Sequence, residues 1–503
     1  MVFSGYEWGT RETSLYCGRT QRSAATRGVR LLTPGISHLP FPRKKVAVTS
    51  PITRRLQNAG SWSFSAWCIV AAFSTYFCMY AFRKPFTAGI FEGDVLWGVG
   101  YKTVLVVAQV FGYTLSKFIG IKVISEMAPG RRAVGILVLI GFAHLNLLLF
   151  GLTPPPYGFV FLFLNGLPLG MVFGLVLSFL EGRQLTEALT AGLCASFIVS
   201  SGVVKSVGRS LVLNHGVSEY WMPFLTGLIF VPPLLLFVWM LSQIPPPRPE
   251  DVKHRSERSP MQRADRRRFF RLHATGLCLL ITTYALLTIM RSIRDDFAVE
   301  IYEDLGEGGK PAIFAYTETL VMLGVVLING AAILIYDNRR ALQTALVTIL
   351  AGFVMVALSV GGYTQDWLGG LPFMILTGIG MYVPYVAFHT TLFERMIAVF
   401  RDKSNIGYLM YLADAIGYLS YVAVMLFRDL SQVATVQRWL PWFQVTTHLD
   451  FFLRATLVIC ALSIVIMIFS LVYFRWKMAV HVIAEDPHQQ KPASARLSPP
   501  DGN

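Results

Sequence analysis

Charge is scarce in this sequence: 15% of its 503 residues are Asp, Glu, Lys or Arg, against 54% hydrophobic residues and a mean hydropathy of +0.53. A soluble domain surrounds its core with about 25% charged residues, so this composition excludes an ordinary aqueous globular fold. Acids are scarcer than bases, 29 against 44, which leaves a formal charge of +15. Those cations flank apolar runs and form no aromatic-basic module, so no nucleic-acid partner is expected. The six cysteines, Cys17, Cys68, Cys78, Cys194, Cys278 and Cys460, show no paired spacing, and neither a disulfide framework nor a metal site is expected. No phosphate-cradling glycine loop and no nucleophile elbow occurs, so the sequence predicts no enzyme and no cofactor.

What the chain does have is apolar runs of bilayer length, roughly 20 residues each. In the first half they cover 63–82, 98–119, 133–152, 158–180, 188–210 and 221–242; in the second, 271–291, 313–336, 341–362, 369–391, 405–426 and 453–474. The pattern predicts an all-α membrane protein of about twelve transmembrane helices in two pseudo-symmetric six-helix bundles, 62–242 and 271–476. A basic tail without acids other than Glu7 and Glu12 occupies 1–61 and carries no apolar core resembling a signal peptide's. Pro246, Pro247 and the Arg266-Arg267-Arg268 cluster mark 243–270 as a polar connector, and 477–503 reads as a second disordered tail.

Lys and Arg in short loops set orientation. Arg43, Lys44, Lys45, Arg54 and Arg55 precede the first span, the connector is basic, and Lys122, Arg131, Arg132, Arg339, Arg340, Arg401 and Lys403 fall in alternate loops of the same side. Both termini are therefore expected in the cytoplasm, with a bacterial inner membrane as the setting. The segment with Asp295, Asp296, Glu300, Glu303, Asp304 and Glu307 is expected as an acidic loop on the other side.

A repeat ties the halves together. Ser74-Thr75-Tyr76, six residues and Arg83 recur as Thr282-Thr283-Tyr284, six residues and Arg291, and each arginine is followed nine positions later by a glutamate, Glu92 and Glu300. In a duplicated membrane fold, equivalent positions of the first and seventh spans approach one another across a central cavity. Two buried guanidinium groups repel and are costly to desolvate, so an anion, from the protein or from a ligand, must join them. Planar guanidinium forks suit phosphate oxygens. The other reading places Arg83 and Arg291 at the ends of their helices, snorkelling to the interface beside Lys84 and Arg294.

Tyr76-x-x-x-Tyr80-x-x-Arg83-Lys84 on the first span, Tyr113-Thr-Leu-Ser116-Lys117-Phe118 on the second and Arg291-Ser-Ile-Arg-Asp-Asp296-Phe297 on the seventh resemble the organophosphate:phosphate antiporters of the major facilitator superfamily, which include the glycerol-3-phosphate and hexose-phosphate transporters. The resemblance implies the major facilitator fold, Arg83 and Arg291 as a phosphate clamp, Lys84 and Lys117 as supporting cations, and Tyr76, Tyr80 and Tyr113 as lining donors. Tyr76, Tyr80 and Arg83 do share one helix face. The chain departs from the superfamily after the second span, where Gly120 to Arg132 keeps only the basic ending. Its counterpart from Gly330 to Arg340 is closer to pattern. Arg131, Arg132, Asp337, Arg339 and Arg340 are expected to latch the two halves as gating residues. Thr288 stands where the repeat of Tyr80 would fall, so the second half is expected to touch the organic part of a solute differently.

Other charges inside spans need partners. Lys205 and Arg209 share a face and either extend a positive cavity or lie at the outer interface. Glu318 and Asp414 are expected to balance the cationic cavity, with proton coupling as the other reading; His144 and His389 are expected as packed residues. Glu181-Gly182-Arg183 and Glu394-Arg395 form a looser repeated pair. The function expected is a monomeric secondary transporter exchanging a small organophosphate for inorganic phosphate. A proton-coupled carrier and a transporter-like receptor are the alternatives.

Overall fold

The computed structural model describes residues 50–93, 95–180, 186–246, 263–400, 406–431 and 447–485. Cys17, residues 1–49, Glu181-Gly182-Arg183, most of the connector, Arg401 and Lys403 lie outside them. Among the described residues, twelve helices are long and apolar enough to cross a membrane. The first helix among the described residues is the short α1 (Pro51–Asn58), inside the segment expected as a tail. Ser50 caps it by accepting from the Thr53 amide at 3.1 Å, and Thr53 Oγ1 donates to the Gln243 carbonyl at 3.1 Å.

The first half consists of α2 (Ser61–Tyr80), α3 (Tyr101–Glu126), α4 (Arg132–Leu152), α5 (Phe159–Leu180), α6 (Thr186–His215) and α7 (Met222–Ser242). The second consists of α8 (Arg263–Asp296), the short α9 (Ala298–Asp304), α10 (Ala312–Ile333), α11 (Asn338–Thr364), α12 (Gly370–Ala387) continued by a π turn and α13 (Phe393–Phe400), α14 (Ile406–Ser431) and α15 (His448–Glu485). Several ends differ from the sequence spans: α3 runs on to Glu126 and α13 to Phe400, α8 begins within the expected connector, and α15 runs beyond residue 477.

Packing repeats between the halves. In the first, α2 packs on α6 and α7, α3 on α5, and α4 on α5 and α7; in the second, α8 packs on α14 and α15, α10 on α12, and α11 on α12 and α15. The halves meet along α3 with α14 and α6 with α10, two contacts that exchange under the same pseudo-twofold. This is the architecture of two pseudo-symmetric six-helix bundles.

Close approach at these contacts rests on glycine. A Cβ at Gly112 on α3 would overlap the Phe163 carbonyl of α5, and one at Gly202 on α6 would overlap the Phe314 carbonyl of α10. Gly112→Ala is therefore expected to destabilise the first half by about 1–3 kcal/mol, since backbone must move to relieve overpacking. A thermal unfolding scan in detergent would read this; an unchanged midpoint would argue against the packing.

After α2 the chain forms a β-hairpin, β1 (Val95–Leu96) with β2 (Val99–Gly100), whose turn places Trp97 and Gly98 at φ 55° and 78°. Two positive φ values are what a tight hairpin turn needs, and Gly98 supplies one without strain. The Glu219 carboxylate, from the α6–α7 loop, accepts from the Ile90 and Phe91 amides at 2.8 and 2.6 Å and ties down the approach to the hairpin. The membrane end holding this turn is called the hairpin end below; the opposite is the connector end.

Candidate functional site

A small cavity of about 20 Å³ lies between the halves. Tyr76, Tyr80, Arg83, Tyr113, Lys117, Phe173 and Phe197 come to it from the first half, and Tyr385, His389, Asp414 and Tyr418 from the second. Tyr76, Tyr80 and Arg83 arrive together because they sit one helical turn apart on and just beyond α2. The cavity is narrow: the Tyr113 and Tyr418 rings meet edge to face across it at 5.4 Å.

Arg83 follows the last turn of α2, its amide donating to the Tyr80 carbonyl at 3.0 Å. Its own carbonyl accepts from Gln109 Nε2 at 2.7 Å, and Gln109 donates on to Asn165 Oδ1 at 2.8 Å. Asn165 Nδ2 in turn donates to the Phe82 and Ala143 carbonyls, both at 2.9 Å. Three helices and the turn after α2 are thereby locked behind one arginine. Asn165→Ala removes both donors and the acceptor and is expected to cost about 2–4 kcal/mol, because several buried polar groups lose a partner at once. The midpoint of thermal unfolding would fall accordingly, whereas no shift would mean the relay is not structural.

The Arg83 guanidinium lies 3.8 Å from the Tyr113 ring centroid. Arg291 does not line the cavity; it stacks 4.5 Å from the ring of Tyr385, which does. Both arginines are buried, at 4% and 7% exposure, and the Nε of each has no hydrogen-bond partner. An aromatic face returns about 2 kcal/mol to a desolvated cation. Removing an ion from water costs several kcal/mol, so the rings alone do not balance these charges.

Eight Lys and Arg side chains are buried among the described residues, and six of them hold carboxylates. Lys84 pairs with Asp295 at 2.6 Å and with Asp296; Lys205 pairs with Asp295, Arg209 with Glu303, Lys102 with Glu300 at 2.5 Å, Lys117 with Asp414 at 3.0 Å and Arg294 with Glu318 at 2.6 Å. The two left without an acid within 4.0 Å are Arg83 and Arg291. Around the cavity, Arg83, Arg291 and Lys117 stand against Asp414, a net positive site.

The acidic segment does not form the solvated loop that the sequence led us to expect. Asp295 and Asp296 belong to the last turn of α8, Glu300, Glu303 and Asp304 to α9, and Asp295, Asp296 and Glu300 are buried. The reason is pairing across the halves. Lys84, Lys102, Lys205 and Arg209 all come from the first half, and Tyr421 donates to Asp296 Oδ2 at 2.8 Å. Burial pushes the Glu300 carboxyl above its usual range, with Lys102 working against it. For Lys84 burial works downward, but Asp295 and Asp296 outweigh it and hold the ammonium above its ordinary value. These contacts tie the two halves together at the hairpin end.

The structure brings Tyr76, Tyr80, Arg83, Tyr113, Lys117 and Asp414 together, with Arg291 one ring behind. Lys84 and Lys205 face the hairpin-end network instead, and Glu318 serves Arg294. At the connector end, Arg132 donates to the Ser178 carbonyl at 3.0 Å inside its own half, Arg131 and Arg340 are exposed, and Asp337 caps α11 by accepting from the Arg340 amide at 2.7 Å. Arg339 also lies in this first turn of α11, and Arg395 donates to Asn338 Oδ1 at 2.8 Å. His144 stacks on Phe224 at 4.6 Å. Sequence reasoning missed Tyr385, Tyr418 and Lys102; His389 is packed and hydrogen-bonded as expected, and it also lines the cavity. The spacing of Tyr411, Asp414 and Tyr418, which puts all three on one face of α14, was a signal for two cavity residues.

The fold is that of the major facilitator transporters, an integral multi-pass membrane architecture. Residues 85–477, well over half of the chain, match the model described as "Family of unknown function (DUF5690)", and the protein belongs to that family. No curated protein matches the sequence. Among solved structures, a D-xylose-proton symporter superposes with a TM-score of 0.55 at 12% identity, covering 81% of this chain and 97% of that one. The nucleoside transporter NupG gives 0.53 at 11% identity, with 82% and 98% covered. At these identities the likeness concerns the fold.

Proposed function

We propose that this protein is a secondary transporter that moves a small phosphate-bearing anion by alternating access, in exchange for inorganic phosphate. The supporting observation is the census of buried cations: among the described residues only Arg83 and Arg291 have no protein acid within 4.0 Å, and they flank a cavity between the two halves. A dianionic tetrahedral group supplies the missing counter-charge, and two guanidinium forks match its oxygens. Tyr76, Tyr80 and Tyr113 add hydroxyl donors. Exchange follows because both solutes need the same arginine pair, which crosses more readily filled than empty.

In this reading the termini lie in the cytoplasm of a bacterial cell, the hairpin end faces outward, and its cross-half ion pairs are the outer gate. Arg131, Arg132, Asp337, Arg339 and Arg340 are the connector-end charges that would close when the outer gate parts. The test is uptake of labelled phosphate into proteoliposomes loaded with unlabelled phosphate. Saturable exchange, inhibited by small organophosphates, is the expected result; its absence in correctly folded protein would refute phosphate exchange.

A further inference from the structure

One cluster at the cavity is not used by anion binding alone. His389 sits in the π turn Phe388–Leu392, a widened helical turn placed four residues after Pro384. Its Nδ1 lies 2.9 Å from the Tyr385 carbonyl. A carbonyl only accepts, so Nδ1 carries the ring hydrogen and Nε2 of the neutral ring presents a lone pair. That lone pair points toward the Tyr284 hydroxyl at 3.5 Å and Asp414 Oδ1 at 3.7 Å. Tyr284 donates its hydrogen to Asp414 Oδ1 instead, so no hydrogen stands between Nε2 and the carboxylate.

Asp414 is balanced for the present by Lys117, whose ammonium also lies 4.9 Å from the Tyr113 ring that cushions Arg83. The titratable and charged groups facing this cluster are Tyr76, Tyr80 and Arg83 from α2 and the turn after it, Lys117 and Tyr113 from α3, Tyr284 and Arg291 from α8, Tyr385 from α12, and Tyr411 and Tyr418 from α14, with Cys194 of α6 beyond Asp414. Only Lys117 among them supplies a positive charge to the carboxylate at contact distance.

Resting on the anion reading, we propose that each anion entering the cavity draws Lys117 away from Asp414 and brings one proton to His389 Nε2. An anion held by Arg83 lies within reach of the Lys117 ammonium, which then serves the anion rather than the carboxylate. A buried carboxylate deprived of its cation strongly favours gaining a new one. The proton comes from water, forms the N–H bond at Nε2 and leaves an imidazolium–carboxylate pair where the ammonium–carboxylate pair had been. Exchange of anion for anion returns the proton each cycle, whereas net movement carries it across, so anion flux becomes linked to a proton gradient.

The test uses purified full-length protein with histidine labelled with nitrogen-15, His389→Gln identifying its signals, and inorganic phosphate as the probe. On adding phosphate, the His389 Nε2 resonance should move to the imidazolium position. In weakly buffered solution with a pH dye, the parent should take up about one proton more per phosphate bound than His389→Gln, a difference that cancels phosphate's own titration. In proteoliposomes, His389→Gln should lose net uptake driven by a proton gradient about tenfold beyond any loss of exchange, within the usual size of linkage between sites. Phosphate binding and exchange with a neutral, unmoved His389 would overturn this inference while leaving the anion site standing. Failure of the parent to bind or exchange phosphate would overturn the anion reading and this inference with it.

Discussion

Replacing Asp295 with Asn releases the hairpin end. Asp295 is the hub of the cross-half network: it holds Lys84 at 2.6 Å, pairs with Lys205 and accepts from Ser201 Oγ at 2.5 Å. Its side chain is 5% exposed, so the two ammonium groups have little water to turn to. Breaking a buried ion pair from one side costs about 3–5 kcal/mol, because the abandoned charge stays in low dielectric. Lys84 keeps Asp296 and Lys205 keeps Ser201, so the chain still folds but the closed arrangement loses its advantage. The readout is the distance between spin labels at Trp97 on the hairpin and Lys310 before α10, both exposed. The parent should give one short distance and Asp295→Asn a longer population. An unchanged distance distribution would mean that the halves are held together by packing such as that at Gly202, not by these charges.

Arg83→Lys and Arg291→Lys should each lower phosphate exchange by about a hundredfold, although charge is conserved. A lysine offers one compact charge in place of a planar fork, and loses one of two charge-assisted hydrogen bonds worth about 1.5–3 kcal/mol each. It also loses the flat face that stacks on Tyr113 or Tyr385. Arg454→Ala provides the control, since that arginine is 60% exposed at the start of α15 and pairs only with Asp450. Exchange that survives both lysine variants would show that net positive charge, not geometry, attracts the solute. It would then point away from a tetrahedral oxyanion.

The fold was legible because hydrocarbon leaves few choices. A run of about 20 apolar residues satisfies its backbone within itself or not at all, so the number of spans and the six-plus-six layout could be read from hydropathy. The repeat of Tyr76 with Tyr284 and Arg83 with Arg291 located the centre of the molecule for the same reason, since duplicated halves place equivalent residues around one axis. The environment of each arginine was less legible. Arg83 is cushioned by Tyr113 of α3, but Arg291 by Tyr385 of α12, and those helices are not equivalents in the two halves.

Charge was where one-dimensional reading met its limit. A cluster such as Asp295, Asp296, Glu300 and Glu303 reads as a water-facing loop when its cations lie some 90 to 210 positions away on other helices, as Lys205, Lys102 and Lys84 do. Lys84 looked like a neighbour of the phosphate clamp because it adjoins Arg83, yet the turn that ends α2 aims it at the opposite half. His389 gave no periodic signal of its own. What sets it apart is its place in the π turn four residues after Pro384 and its contacts with Tyr284 of α8 and Asp414 of α14, none of which is a motif.

The central claim is that Arg83 and Arg291 together complete their charge balance with a phosphate group. Titration calorimetry of inorganic phosphate into the purified parent and the Arg83→Ala/Arg291→Ala double variant tests it most directly. The parent should show saturable one-site binding and the double variant none, with the variant still folded by circular dichroism. Binding of equal strength in both, or none in a folded parent, would contradict it.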